Sequence, residues 1–182
     1  MTDQTKFYST MPSPVGELLL LSDGTALTGV YMQQHAHWSG MQDHWRRDDH
    51  RLRAARQQLR AYFAEELRAF DLPLALHGTE FQRRVWQELL NIPYGQTVSY
   101  GELACRLGQP KASRAVGLAN GRNPVAIIVP CHRVIGASGA LVGYGGGLDR
   151  KRLLLDLERS HAEPHLEGLA SIPVTLTRPD GG

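Results

Sequence analysis

The chain writes nucleophilic chemistry into adjacent residues at one place, Pro130-Cys131-His132-Arg133-Val134. A free thiol is only a few per cent thiolate at neutral pH, so Cys131 needs a base beside it and a third group to orient that base. His132 is the nearest candidate. The same pair also fits a buried, inert cysteine followed by a surface histidine, so the surroundings must decide. The run Ile127-Ile128-Val129, set between Pro124 and Pro130, is too short for a helix. It reads as a buried strand that delivers the thiol at its end.

Charge sharpens the question. The net charge of +2 over 182 residues is too small to signal a polyanionic partner by itself. Its distribution says more: from Leu103 to Leu148 there are five basic residues (Arg106, Lys111, Arg114, Arg122, Arg133) and no Asp or Glu. Such a stretch draws a polyanion, and it equally fits a solvated basic face. With 42% hydrophobic residues the chain can bury a good core, as one compact domain or two small ones. No apolar run approaches membrane-spanning length, and the start, Met1 to Lys6, lacks the pattern of a secretory signal. The two cysteines, Cys105 and Cys131, fit reduced thiols better than a disulfide framework. A cytoplasmic protein with no membrane partner is expected.

The elements that must position the thiol fall into two halves, and the fold class is α+β. Apolar runs at Glu17–Leu21 and Ala26–Met32, separated by Ser22-Asp23-Gly24-Thr25, predict two antiparallel strands. Gln33 to His50 has no clean period and reads as a long loop; its four histidines match no compact metal-ligand spacing. Leu52, Ala55, Leu59, Tyr62, Phe63 and Leu67 recur at helical spacing and predict an amphipathic helix over Arg51–Leu67. Phe70 to Leu76 alternates, but Pro73 demotes it to an edge strand at best. A change of pattern at His77-Gly78 places a boundary between a small N-terminal strand/helix domain, 1–77, and a mainly helical C-terminal domain, 78–160. Residues 161–182, with three prolines and a terminal Gly-Gly, read as a loosely ordered tail.

In the second half, Thr79-Glu80-Phe81-Gln82 and Ser99-Tyr100-Gly101-Glu102 have the form of capping boxes, each opening a helix. The second helix stops at Gly108, and Pro110 opens a third through Lys111 to Ala119, ended by Asn120-Gly121. Two helices joined by a tight turn read as a helix-turn-helix, a geometry that ordinary bundles share. Ala112, Ser113, Ala115 and Ala119 leave little bulk, so this helix can approach a groove closely while Arg114 projects; tight helix packing would use the same residues. Gly143-Tyr144-Gly145-Gly146-Gly147 is not a phosphate-binding P-loop, because the Gly-Lys-Ser/Thr ending is missing. A final helix, Leu148 to Arg159, carries Arg150, Lys151 and Arg152 at its amino end and Glu158 near its carboxyl end, the reverse of what the dipole favours. The trio reads as facing phosphates and Glu158 as holding a cation such as a histidine.

Taken in order, these pieces identify a family. The sequence resembles the O6-alkylguanine-DNA alkyltransferases, or methylated-DNA-protein-cysteine methyltransferases, in particular the bacterial constitutive type, over about Phe7 to Arg159. The resemblance rests on Pro130-Cys131-His132-Arg133-Val134, on Asn123-Pro124-Val125 before it and on Gly143-Tyr144-Gly145-Gly146-Gly147 after it. Phe81-Gln82 with Val85-Trp86, Ile92-Pro93-Tyr94-Gly95 with Ser99-Tyr100, and Ser113-Arg114-Ala115-Val116-Gly117 add to it. It implies an RNase H-like first domain and an irreversible, once-only transfer of an alkyl group from O6 of guanine (also O4 of thymine) in double-stranded DNA to Cys131. His132 would take the thiol proton through a water, Glu158 would orient the imidazole, Asn123 would brace the turn, and the Tyr100 hydroxyl would protonate the departing base. Arg114, with Lys111, Ala112 and Ser113, would engage the minor groove and fill the gap left by a flipped nucleotide. Tyr144, Gly145, Gly146 and the Val134 carbonyl would wall the base pocket. No cofactor and no metal are implied, and the protein would be a monomer, with cooperativity along DNA left open. Gly145 replaces a serine of the animal members and Ala126 replaces a common proline, which bears on the alkyl size accepted.

Three rivals stand beside this. A cysteine hydrolase would turn over repeatedly and ignore DNA, which the helix-turn-helix argues against. A non-catalytic damage binder typically lacks the cysteine. A methylation-signalled regulator carries an extra cysteine-bearing zinc domain, absent from this sequence.

Overall fold

A computed structural model describes residues 6–33 and 41–160. The first half is built on a sheet of order β3-β2-β1-β4, from β1 (Phe7–Met11), β2 (Leu18–Ser22), β3 (Leu27–Met32) and β4 (Arg46–Arg47). The first three strands run antiparallel to their neighbours, and β4 lies parallel to β1. The two expected strands are β2 and β3; β1 is an addition. It escaped the pattern because Ser9 occupies an inward position, where its hydroxyl is buried and donates to Asp49 Oδ1 at 2.6 Å. β4 falls within the stretch read as a loop, whose residues 34–40, with His35, His37 and Trp38, lie outside the described residues.

Helix α1 (Arg53–Phe63) buries Ala55, Leu59 and Tyr62 in the core that the strands line with Met11, Leu18, Leu20, Val30 and Met32. It ends one turn earlier than the apolar spacing suggests. Glu65 takes φ 64°, and the amides of Glu65, Glu66 and Leu67 turn back onto the carbonyls of Tyr62 and Ala61. Beyond it, the Pro73 segment touches β3 at one bridge: Leu27 N donates to Pro73 O at 2.8 Å and Ala75 N donates to Leu27 O at 3.0 Å.

The second half is helical, with α2 (Glu80–Leu89), α3 (Tyr100–Arg106), α4 (Ser113–Gly121) and α5 (Leu148–Ser160), plus a short parallel pair, β5 (Val98–Ser99) and β6 (Val134–Ile135). Both capping boxes form, at Thr79 with Gln82 and at Ser99 with Glu102. Gly108, at φ 72°, lets α3 stop sharply, a conformation that costs a glycine little. Helix α4 begins at Ser113, two residues later than its proline signal suggests, and Pro110 and Lys111 lie in the turn. Trp86 ties α2 to α4 by donating from Nε1 to Ala119 O at 2.8 Å. One continuous core takes residues from both halves, including Leu20, Leu59, Val85, Leu103, Val129 and Leu154. Among the described residues no helix is long and apolar enough to cross a membrane.

Candidate active site

The segment entering the site is a tight, buried turn and not the strand its composition suggests. Ala126 bridges to Val129, and Ile127 between them takes φ 74°, a left-handed conformation that a β-branched residue adopts only under compulsion. The compulsion comes from both sides. Asn123 clamps the turn from within: its Nδ2 donates to Val129 O at 2.8 Å and its Oδ1 accepts from Val125 N at 3.0 Å. From outside, β3 holds it as a sheet edge would, Val30 N donating to Pro124 O at 2.9 Å and Ala126 N donating to Val30 O at 3.2 Å. Short apolar composition cannot distinguish such a turn from a strand, because both bury every side chain.

The turn hands over to a single 3-10 turn, Cys131–Arg133, in which all three side chains are buried. Glu158, fully buried on α5, gathers the last two. Its Oε1 accepts from Tyr62 Oη (2.7 Å), His132 Nε2 (2.8 Å) and Arg133 Nη2 (2.9 Å). Its Oε2 accepts from Arg133 Nε (2.8 Å) and the Gly95 amide (3.2 Å). Burial by itself would raise this carboxyl's pKa, but the hydrogen bond from His132 and the hydrogen bond and charge of the Arg133 guanidinium win, holding it well below the ordinary carboxylate range. Arg133, permanently charged, already matches Glu158. Burial therefore keeps His132 neutral at rest, its pKa lowered. With Nε2–H given to the carboxylate, Nδ1 carries the lone pair of a base. Burial pushes the Cys131 thiol up to about 11, against the opposing pull of Asn123 and Lys151.

The sequence places Lys151 among residues facing phosphates, and the structure corrects this. It is fully buried, and its Nζ donates to Val134 O at 2.6 Å and to Val142 O at 2.8 Å. Burial lowers its pKa to about 8, partly offset by Cys131. Arg150 is also engaged, through Nη1 to the carbonyls of Gln33 (2.6 Å) and Gly146 (3.0 Å), and Arg152 alone of the trio is exposed. The spacing held the correction: Lys151, Leu154, Leu155 and Glu158 share one face of α5.

The remaining expected residues divide between a pocket rim and a surface. Tyr100 starts α3, and its hydroxyl donates to Val142 O (3.0 Å) and Gly143 O (3.3 Å), which brings it against the glycine-rich segment. Gly146 is buried where a Cβ would meet Met32 Sδ at 2.6 Å, so β3 presses directly on that loop. Gly145 lies beside it, half-buried. The Val134 carbonyl is occupied by Lys151. Three buried polar atoms bordering the thiol, His132 Nδ1, Asn120 Oδ1 and Tyr144 Oη, have no hydrogen-bond partner among the described residues. Native cores leave few such atoms unpaired, so their concentration marks the place where a polar ligand would be received. On the outside, Lys111 and Arg114 are exposed, Ala112 and Ser113 partly so, and Leu118, 68% exposed, shares the open face of α4 with Arg114 and Ala115.

Tyr62, Arg133 and Asn120 were not singled out by sequence reasoning. Tyr62 had a usable signal, a tyrosine on a buried stripe whose hydroxyl must find a partner. Asn120 had none, since Asn-Gly reads as a helix stop.

Fold and site thus define an α+β protein in which a buried Cys-His-Glu cluster sits behind a helix-turn-helix. Family models agree: residues 6–76 match the ribonuclease-like domain of 6-O-methylguanine DNA methyltransferase, and residues 80–160 match its DNA binding domain. The methylated-DNA-protein-cysteine methyltransferase of Mycobacterium bovis is 56% identical over 159 residues, covering 87% of this chain and 96% of the relative. That of Methanosarcina acetivorans is 53% identical over 154 residues, covering 85% and 99%. The structure of Mycobacterium tuberculosis OGT in complex with DNA superposes with a TM-score of 0.80 at 56% identity, covering 85% of this chain and 93% of that one. The chain belongs to the 6-O-methylguanine DNA methyltransferase family.

Proposed function

We propose that this protein repairs double-stranded DNA by moving the alkyl group of O6-alkylguanine, and of O4-alkylthymine, onto Cys131 in a single irreversible turnover. The observation that carries the reading is the buried Cys131-His132-Glu158 arrangement directly behind α4. The thiol proton passes to His132 Nδ1 by way of a water, and the resulting imidazolium is stabilised by Glu158. The sulfur electron pair then attacks the saturated alkyl carbon. As the S–C bond forms, the C–O6 bond breaks and its electron pair returns to the base, which takes a proton from the Tyr100 hydroxyl. Atoms and charge balance without a cofactor. The thioether offers no easy leaving group, so each molecule acts once.

The target carbon is out of reach inside a duplex, and the nucleotide must be flipped. The small, open face of α4 suits the minor groove, with Arg114 in the vacated stack, Lys111 near phosphate, and Ala112 and Ser113 permitting close approach. Tyr144, Gly145, Gly146 and Val134 wall the base, and Asn123 holds the turn. We assign the first half, 1–77, to support, the second, 78–160, to chemistry and DNA, and 161–182 to a tail outside the described residues. The protein acts as a cytoplasmic monomer, where its thiol stays reduced.

Incubation with excess duplex carrying O6-methylguanine, followed by peptide mass spectrometry, tests this. One methyl on Cys131 with repair halting at one equivalent is expected, and none from Cys131→Ser. Continued turnover, or methylation elsewhere, would overturn it.

A further inference from the structure

Asn120 is a side chain to which neither fold nor mechanism has given a task. It is 1% exposed, at the end of α4, and its Nδ2 donates to the Cys131 carbonyl at 3.3 Å. That contact settles which way the amide points, since a carbonyl needs a donor. The edge of the Tyr100 ring runs along the same face of α4: a Cβ at Gly117 would lie 3.7 Å from two of its carbons. Asn120 is three residues further on, at the next position of that face. From the other side the Tyr100 hydroxyl is held by the carbonyls of Val142 and Gly143, which share its proton. A buried amide costs stability wherever it is imperfectly paired, and Asn120 Oδ1 has no partner among the described residues.

We infer that Asn120 is a positioning residue for proton delivery: its amide N–H holds the Tyr100 oxygen and stabilises the negative charge that develops there as the phenol proton passes to the departing guanine. The inference rests on the reading of Tyr100 as the proton donor. Burial and the neighbouring Cys131 raise the Tyr100 pKa, and hydrogen bonding from Asn120 opposes them, which is the direction an acid in this place requires. The same amide touches the Cys131 backbone, so it couples the atom that receives the alkyl group to the atom that releases the base.

The test is a double-mutant cycle read by single-turnover alkylation with free O6-benzylguanine, in a Cys105→Ser background so that Cys131 is the one thiol followed. Asn120→Ala removes volume and Asn120→Leu adds it, so a loss common to both tracks the amide. Each is expected to lower the maximal rate about five- to twentyfold, with the half-saturating concentration unchanged. In a Tyr100→Phe background neither should lower it further. Alkylation of Cys131 by iodoacetamide, whose iodide leaves without a proton, should stay within about twofold. A loss that persists in Tyr100→Phe, that falls on half-saturation, or that appears equally with iodoacetamide would overturn the inference. If Tyr100→Phe itself leaves the benzylguanine rate unchanged, the reading of Tyr100 fails and this inference with it; if Tyr100→Phe is slow but both Asn120 variants react normally, Asn120 alone is refuted.

Discussion

Cys131 is held where a thiol is least acidic, which suits a protein that can react only once. Burial sets its pKa at about 11, and Arg133 rather than His132 carries the positive charge beside Glu158. The resting pair is therefore thiol and neutral imidazole, and stray electrophiles meet little thiolate. The sign follows directly: the reactive form is the deprotonated one, so reactivity grows as pH rises toward the raised pKa. In the Cys105→Ser protein, iodoacetamide labelling of Cys131 should climb several-fold per pH unit from about pH 7 to 9 and show no plateau near the ordinary thiol value. A plateau below about pH 7 would mean that a thiolate-imidazolium pair exists at rest, and the neutral picture would fail.

At the scale of elements, the thiol is placed by a turn and the proposed DNA surface by a helix. The Asn123 clamp makes two buried hydrogen bonds and holds Ile127 in a strained conformation. Asn123→Ala strands a carbonyl and an amide, and a loss of about 2–4 kcal/mol in unfolding free energy is expected by urea denaturation. A loss under about 0.5 kcal/mol would show that β3 suffices to hold the turn. Helix α4 has a different duty. Arg114 is exposed on α4, away from the core, so Arg114→Ala should leave folding intact. Repair of duplex substrate should fall by about tenfold or more, while reaction with free O6-benzylguanine changes less than about twofold. Equal losses in the two assays would remove its part in base flipping.

On the scale of the whole molecule, the two halves share more than a core. Tyr62, from the first half, donates to the carboxylate of Glu158, 96 residues away, and its ring packs edge-on against Phe63 and Tyr94. β3 meanwhile supplies the sheet edge on which the nucleophile's turn is hung. The first half is thus part of the site's scaffold. Tyr62→Phe keeps the ring and removes one hydrogen bond to a buried charge, and should cost about 1.5–3 kcal/mol in a single unfolding transition. An unchanged midpoint would mean that Arg133 and His132 position the carboxylate without help from the first half.

How much of this was legible in the chain follows from what each feature depends on. Local signals acted locally: the capping boxes opened α2 and α3, Gly108 ended α3, and the apolar runs of β2 and β3 with the turn between them carried through, because each depends on residues close in the chain. Motif order likewise identified the family and brought Cys131, His132 and Glu158 into consideration together. Features that depend on a distant partner were hidden. β1 shows no clear pattern because its inward Ser9 is satisfied by Asp49, the expected strand at Ile127 is a turn held by Asn123 and β3, and the basic trio of α5 misleads because its charge suggests the surface while the face shared with Leu154, Leu155 and Glu158 turns Lys151 inward. The sequence by itself determined the helices and the reactive motif, which short-range spacing sets, and the family, which the order of its motifs carries. Tertiary structure alone decided the protonation state of the site, because the charge of Arg133, the hydroxyl of Tyr62 and the depth of burial converge there from segments far apart in the chain.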